Sequence, residues 1–362
     1  MYIKNIHLEN FRNYKSLDLE FDEKLNLILG DNAQGKTNLV ESLYIMGLGK
    51  SFRTNNDQDM IAFEEDFSKA VSTVVDEDDE IKIEIIYKKD GKILKLDNQK
   101  LQRSMDLLEN VYVVVFSPDD LKIIKEGPDN RRKFLDRELC QIKPVYYSDL
   151  GNYKKVLKQR NYLLKERNND KKLFEVFDEA LADYGLRIAK ERYNFSEKLQ
   201  KISSEIHNHI SGNKENLSVY YETKILKDFN KEDYKKLLNK NFEKDLFKGY
   251  TSFGPHKDDI GINVNGIDIR NFGSQGQQRT AALSLKLAEL GLIKEETGKN
   301  AVLILDDVLS ELDNQRQQYL IESMKDVQVF ITTTQIDEEL RGKLPSGKAF
   351  QVDNGQVHIY NK

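Results

Sequence analysis

One cysteine, Cys140, stands in a chain of 362 residues. No internal disulfide framework is possible, and a reducing compartment is the natural expectation. Long apolar runs are missing too. Nothing approaches the roughly 18 apolar residues that a membrane-spanning helix needs, and the opening "MYIKNIHLENFRNYKS" has no apolar run of the signal-peptide type. An excess of one charge sign is also missing. Charged residues make up 32% of the chain, yet they cancel to a net charge of −5. That balance excludes no partner, because a local basic patch binds nucleic acid on an acidic protein as well. Internal repeats and low-complexity tracts are absent. What remains is the expectation of a soluble, cytoplasmic protein with one large core or two modest ones.

The first part of the chain reads as strands. "YIKNIHLENF" alternates, and "SLDLEF" and "KLNLILG" follow after short polar joins. "LNLILG" is nearly all apolar, as expected of a strand buried on both faces. "TNLVESLYIMGLG" then has helical spacing, with Leu39, Leu43 and Met46 on one face and Val40 beside them. Strands are predicted at "KAVSTVV", "IKIEIIYK", "KILKL" and "VYVVVFSP". From about Asp129 to His209 the chain becomes lysine-rich and helical, with apolar positions such as Leu150, Tyr153, Leu164, Leu181 and Ile188. "RNNDKK" marks a reversal and "SGNKEN" an exit. Strands return at "LSVYYE", in a hairpin around Asn265-Gly266 and in another around Asp353-Asn354-Gly355. The expected fold is α/β: a sheet domain split between residues 1–125 and 250–362, with a mostly helical lobe inserted at 126–249.

Two motifs carry chemistry. "GDNAQGKT", Gly30, Asp31, Asn32, Ala33, Gln34, Gly35, Lys36 and Thr37, fits G-x-x-x-x-G-K-[ST] between a buried strand and a helix. Such a loop lets successive backbone N–H groups converge on phosphate oxygens at the positive end of the helix. Lys36 would reach the β- and γ-phosphates, and the Thr37 hydroxyl would ligate Mg²⁺. "AVLILDDVLSELD" supplies the partner, a central strand ending in Asp306 and Asp307, where ligands bind in α/β folds. Asp306 would hold Mg²⁺, and Asp307 would orient or deprotonate the attacking water. Lys36, Asp306 and Asp307 are therefore the catalytic candidates, with ATP and Mg²⁺ as cofactors.

"SQGQQ", Ser274, Gln275, Gly276, Gln277 and Gln278, opens a helix. It reads as a cap and equally as an anion site. A second anion site on one chain is redundant unless it serves a nucleotide held by another copy, so a head-to-tail dimer is expected. "GPHKDD" offers His256, Asp258 and Asp259. One His and two adjacent acids that point to opposite faces of a strand make weak metal ligands, and a structural turn is the preferred reading.

The chain resembles the ABC-type ATPases in this motif and, more closely, the SMC-like DNA-repair heads of the RecF family. "IHLENFRNY", "GLGKSFRT", "FSPDDLKIIKEGPDNRRKFLD", "YTSFGPHKDD" and "LDDVLSELD" carry the likeness in the same order along essentially the whole chain. The resemblance implies an ABC/SMC-type P-loop ATPase head that dimerises on ATP, hydrolyses it slowly and binds single- and double-stranded DNA at gaps and junctions. It also implies RecR and RecO as partners in loading RecA. Ser274, Gly276 and Gln277 would approach the γ-phosphate from the opposite subunit, and Ser310, Glu311, Leu312 and Asp313 would form the loop at the dimer seam. Arg12 and Arg53 match arginines near the nucleotide, and Asp307 stands where many ABC ATPases have Glu. Two departures stand out. "ITTTQ" lacks the switch histidine, leaving Thr333, Thr334 or Gln335 as substitutes, and "VVVFSPDD" offers no first-lobe glutamine.

DNA contacts are harder to place. Arg131, Arg132 and Lys133, and the run Lys154, Lys155, Lys158 and Arg160, are candidates for salt-dependent phosphate binding; a solvated helix face is the competing reading for each. Other function classes fit less of the chain. A small-molecule kinase has no use for "SQGQQ" or "SELD". An SMC-like structural tether needs a long heptad arm, for which the insertion is too short. An ABC transporter subunit is disfavoured by the helical insertion and the "FRNY" opening.

Overall fold

The alternating start forms a hairpin in the computed structural model of the chain, which describes residues 1–77, 79–336 and 338–360. Strand β1 (Tyr2–Phe11) pairs antiparallel with β2 (Tyr14–Glu20). A register shift between Ile3 and Asn5 keeps both Ile3 and Ile6 on the buried side. The apolar run follows as β3 (Leu25–Leu29), buried at every position, and then helix α1 (Lys36–Leu48). Strands β4 (Phe67–Asp76), β5 (Asp79–Lys88), β6 (Gly91–Leu96), β7 (Gln99–Lys100) and β8 (Val113–Phe116) come next.

Helices then take over: α2 (Leu121–Lys125), α3 (Pro128–Ile142), α4 (Pro144–Lys165) and α5 (Lys171–Ile210). The reversal between α4 and α5 lies in the predicted "RNNDKK" stretch, where Asp170 caps α5 by accepting from the Lys172 and Leu173 amides. After β9 (Leu217–Glu222) stand α6 (Lys231–Lys240), α7 (Phe242–Lys248), β10 (Asp259–Val264), β11 (Ile267–Asp268), α8 (Ile269–Phe272) and α9 (Gln275–Thr297). The chain ends with β12 (Val302–Asp306), α10 (Asn314–Glu322), β13 (Val329–Thr333), α11 (Glu338–Lys343), β14 (Gly347–Asp353) and β15 (Gln356–Ile359).

Contacts divide the chain into two compact units, Met1–Asp120 with Leu283–Lys362, and Leu121–Ala282. The first holds two six-stranded sheets. One is antiparallel in the order β2-β1-β4-β5-β6-β7. The other runs β15-β14-β3-β13-β12-β8, parallel from β14 to β8. Helix α1 is buried along most of its length, and Leu39, Leu43 and Met46 share one apolar core with Ile3, Leu8, Ile85, Ile304 and Phe330. Core side chains of both sheets thus close on α1.

The second unit pairs its helices with a three-stranded antiparallel sheet, β11-β10-β9. It reaches Ala282, beyond the expected edge at residue 249. Strand β10 pairs with β9 over six residues, and Arg131 of α3 forks onto Asp259 at its start. The hairpin is thereby tied to the helices. Arginines are built into this interior. Arg160 is fully buried on Asp178 (2.7 Å), Asp245 (3.2 Å) and Thr251. Arg192 is held by Asp136, Tyr146 and the Pro255 carbonyl.

Candidate nucleotide site

The parallel sheet fixes the geometry. Strand β13 lies between β3 and β12, with Thr333 opposite Leu29 and Thr332 opposite Asp306. The carboxyl ends of all three strands therefore open on one edge, where α/β folds bind ligands. The loop Gly30–Thr37 leaves β3 at that edge. Gly30, at φ 151°, passes so close to β14 that a Cβ would lie 2.4 Å from the Val352 oxygen. Gly35, at φ 120°, is the residue before α1 and packs on Asn13 and Tyr14. Both positions need glycine for conformation and for space. Lys36 is buried, its Nζ donating to the carbonyls of Gly30 (2.7 Å) and Asp31 (3.0 Å).

Hairpin tips hold the loop from two sides. In the β1–β2 turn, Asn13 Nδ2 donates to the Gln34 carbonyl (3.0 Å) and the Tyr14 hydroxyl donates to the Gly35 carbonyl (3.0 Å). From the β14–β15 turn the amides of Asn354 and Gly355 donate to Gln34. The "FRNY" segment is thus a buttress of the loop.

The acid expected opposite the loop is in place. Thr37 Oγ1 donates to Asp306 Oδ1 at 3.1 Å, and Thr332 Oγ1 donates to the same oxygen at 2.7 Å. Burial lifts the Asp306 carboxyl above the usual carboxylate range. The hydroxyl bonds and, more weakly, the Arg53 charge oppose that shift, and the neighbouring Asp307 charge adds to it. Among the described residues no cation pairs with Asp306. A buried carboxylate held only by neutral hydroxyls, beside a threonine hydroxyl, is an all-oxygen donor set of the kind that suits Mg²⁺ together with phosphate oxygens and water. Asp307 adopts φ 55°, with its amide donating to Thr332 Oγ1 (3.0 Å). Thr332 is the threonine bonded to the acid; of the residues named in place of the switch histidine, Thr333, Thr334 and Gln335, Thr333 donates to the Gln335 carbonyl.

Sequence reasoning missed Glu41. Its carboxylate is fully buried and accepts a fork from Arg12 Nε (2.9 Å) and Nη2 (2.8 Å). Ser51 and Arg53 also donate to it, and Arg53 reaches Asn38 at 2.7 Å. Glu41 follows Thr37 by four residues and so shares its helix face; that spacing was the available signal. Arg12 and Arg53, both chosen for the nucleotide, are brought together by this one acid.

In the second unit, Ser274 caps α9 through a reciprocal box. The Gln277 amide donates to Ser274 Oγ (3.2 Å), and the Ser274 amide donates to Gln277 Oε1 (2.9 Å). Gln277 Nε2 further donates to Glu215 (2.9 Å), and Gln278 Nε2 to the Ile269 carbonyl (3.1 Å). The cap reading of "SQGQQ" holds in full, and Gln275 and Gly276 open the helix behind it. The expected seam loop forms a short turn at Leu309–Glu311, after which Asp313 caps α10 by accepting from the Arg316 amide (3.0 Å).

The family described as RecF/RecN/SMC N terminal domain matches residues 2–343. A DNA replication and repair protein RecF from Clostridium kluyveri is 46% identical over 361 residues, 99% of each chain. The chain belongs to the RecF family. A solved structure described as the recombination mediator protein RecF-ATP in the RecFOR pathway superposes with a TM-score of 0.92 at 40% identity, covering 99% of this chain and 98% of that one. A Smc head domain from Pyrococcus furiosus matches at TM-score 0.54 and 16% identity, a likeness of fold. The α/β architecture is that of the SMC-like, ABC-type ATPase heads.

Not every basic residue proposed for DNA is free in this RecF-family chain. Arg131 is buried, with Nε and Nη2 both 2.7 Å from the Asp259 carboxylate. Arg160 is enclosed as described above. Both guanidiniums hold the lobe together, so neither reaches a phosphate. Arg132 is bonded to Asp129 and to the Asp258 carbonyl. Lys154 lies 3.7 Å from Asp136, and Lys133, Lys155 and Lys158 are exposed. The His256 ring is used at both nitrogens, Nδ1 with the Tyr153 hydroxyl (2.7 Å) and Nε2 with the Thr251 carbonyl (2.9 Å). "GPHKDD" is a structural turn, and no metal-holding group of three or more such ligands occurs among the described residues. Nor is any described helix long and apolar enough to cross a membrane.

Proposed function

We propose that this RecF-family protein is an ATP-switched recombination-repair ATPase that binds gapped or junction DNA as a dimer. The single observation that carries the reading is the Gly30–Thr37 loop closing on Asp306 through Thr37, with Lys36 inside it. ATP is the ligand that this loop fits, and the solved relative described as RecF-ATP supports that assignment.

In this reading the loop amides and Lys36 hold the β- and γ-phosphates, and Thr37 and Asp306 hold Mg²⁺, which neutralises phosphate charge. Asp307 orients the attacking water. The αL backbone places its carboxylate after the strand end while Thr332 fixes its amide. Ser274, Gly276 and Gln277 meet the γ-phosphate of a nucleotide held by a second copy, and Ser310–Asp313 line the seam between the copies. ATP then closes the dimer because the signature touches a group that hydrolysis removes. Turnover is slow, as suits a switch. RecR and RecO act with it to load RecA, a role supported by the RecFOR context of the relative.

Sedimentation with ATP·Mg²⁺, with and without gapped DNA, tests the switch, the dimer and the DNA together. The parent chain shifts to a dimer on ATP, and Lys36→Ala does not. Equal dimerisation of both chains would sink the proposal. Mixing Ser274→Arg with Lys36→Ala chains separates the trans role of Ser274, since each heterodimer keeps one intact composite site; unimpaired hydrolysis by the Ser274→Arg chain alone would remove that role.

A further inference from the structure

Several lysines on and around α6 face acids: Lys227 with Glu197, Lys231 with Glu179 and Asp183, Lys235 with Glu179 and Glu232, Lys236 with Asp233. Others of the second unit do not. Lys155, Lys158 and Lys165 of α4, and Lys248 and Lys257 near α7, are exposed, and among the described residues none of the five has an ion-pair partner. The stretches 154–165 and 244–257 hold a single carboxylate, Asp245, which is buried on Arg160. Exposed Glu166 and Glu243 flank the two stretches, and among the described residues neither is ion-paired with one of the five lysines.

Aromatic rings sit among these cations. Lys155, Lys158, Tyr162 and Lys165 recur at steps of three and four, so they form one stripe along α4. Gly249 packs against the end of that stripe, where a Cβ would stand 3.4 Å from Lys165 Cγ, and Thr251 donates to Asn161 Oδ1 through its amide (2.8 Å) and hydroxyl (2.7 Å). The segment Phe247–Tyr250 therefore borders the stripe. Lys257 and Lys248 stand 4.6 and 5.7 Å from the Tyr250 ring centre, which gathers both ammoniums there. Tyr162 is 63% exposed and Phe247 is 89% exposed. Phe242, on the same short helix, is buried against Leu164 and Phe174, so Phe247 contributes nothing to that core.

A purely electrostatic duplex surface needs no exposed rings, and an apolar protein contact does not need five unpaired lysines. Phosphate-holding cations interleaved with free aromatic faces match a strand whose bases are unstacked, because every base has a face to stack. We propose that this surface binds single-stranded DNA, with unpaired bases stacking on Tyr162 and Phe247 and Lys155, Lys158, Lys165, Lys248 and Lys257 holding the phosphates. This rests on the DNA-binding reading above and adds which surface of the lobe meets the unpaired strand and with which side chains. A gap or junction is then recognised by its unpaired part.

The test is binding of the full chain, with ATP·Mg²⁺, to oligo-dT and to a blunt duplex of equal length over a range of salt. Tyr162→Ala with Phe247→Ala weakens oligo-dT binding about tenfold or more. Duplex binding stays within about twofold, the salt slope is unchanged, and ATP-dependent sedimentation is intact. Tyr162→Phe with Phe247→Tyr keeps the parent affinity. Lys155→Gln with Lys158→Gln lowers the oligo-dT salt slope by about 1.4, two phosphate contacts at roughly 0.7 each. Equal losses on oligo-dT and duplex, or no loss on either, overturn the proposal. Parent binding to duplex but not to oligo-dT overturns it and leaves the DNA reading standing, whereas parent binding to neither overturns both.

Discussion

Buried carboxylates in the two units have different company. In the lobe, Asp178 and Asp245 share the Arg160 guanidinium, and Asp259 takes the Arg131 fork. In the ATPase unit Glu41 is treated alike, with Arg12 and Arg53 on it. Asp306 is the contrast, since it is buried on two threonine hydroxyls alone. A hydroxyl answers a lone pair but does not balance a charge, and an uncompensated buried charge is costly. The paired acids are part of the scaffold. Asp258 of the lobe is also buried without an ion pair, on the Tyr221 hydroxyl, so what marks Asp306 for a cation is its bond to Thr37 at the phosphate loop as well as its unbalanced charge.

The largest expected effect breaks a scaffold pair. Arg160→Met keeps most of the volume but strands two buried acids, so a loss of about 3–5 kcal/mol of unfolding free energy is expected. Denaturant unfolding measures it. A loss below about 1 kcal/mol would mean that Asp178 and Asp245 reach solvent, and the comparison would fail on the lobe side.

Asp306→Asn works in the opposite sense. Hydrolysis falls about a hundredfold, the order of effect seen when a positioned electrostatic group is removed from an active site. The nucleotide-free melting temperature at pH 7 rises, because the buried charge is gone while an amide oxygen still accepts from Thr37 and Thr332. The sign follows from the raised pKa of Asp306 in the folded chain. The folded state holds the proton more tightly than the unfolded one, so the penalty is full above the raised value. It vanishes below the unfolded value of about 3.9. The stabilisation of the variant should therefore shrink on acidification. A variant less stable than the parent at pH 7 would show that Asp306 is scaffold after all.

How far the sequence reached follows the same division. Strands β3 and β12, the loop and both acids were legible because the motif fixes residue types at fixed spacings between elements whose burial shows as apolar runs. The hairpins at Asn265-Gly266 and Asn354-Gly355 were legible because each pair takes positive φ, which those residues tolerate. Partners distant in sequence were not. Glu41 lies on the Thr37 side of α1, opposite the predicted apolar face, and its bond to Arg12 spans 29 residues. Nothing local separates Thr332 from Thr333; the register of β13 against β12 does. Arg131 and Arg160 looked like surface charge because a basic helix reads alike whether a given arginine points outward or onto a distant aspartate. Helices α6 and α7 were covered only by the general expectation of a helical lobe.

A smaller effect sharpens the contrast with a group that is buried neutral. Burial lowers His256 to about 4, and its ring accepts from Tyr153 and donates to Thr251. The unfolded chain binds the proton near pH 6.5. Stability is therefore fully present above about 6.5 and is lost as pH falls toward 4, by roughly 2–3 kcal/mol over the window. His256→Gln, which keeps a donor and an acceptor, should flatten that part of the pH–stability profile. An unchanged slope would place the acid sensitivity elsewhere.

The smallest effect concerns how the cap of α9 is held. Glu215 accepts from Gln277 Nε2 at 2.9 Å and stands 3.2 Å from His207 Nε2. It thus ties the box around Ser274 to the end of the 40-residue helix α5. Glu215→Gln keeps an amide oxygen for Gln277 and removes only the charge. Unfolding free energy should change by less than about 1 kcal/mol, since the bonds lost are partly exposed and the Ser274–Gln277 box does not depend on them. If the box serves a nucleotide on a second copy, hydrolysis should drop a few-fold while Mg²⁺·ATP affinity of the monomer stays constant. Glu215→Ala should drop it further, as the anchor is then absent. Equal turnover in all three chains would mean that the box alone positions Ser274, leaving the tie to α5 as packing.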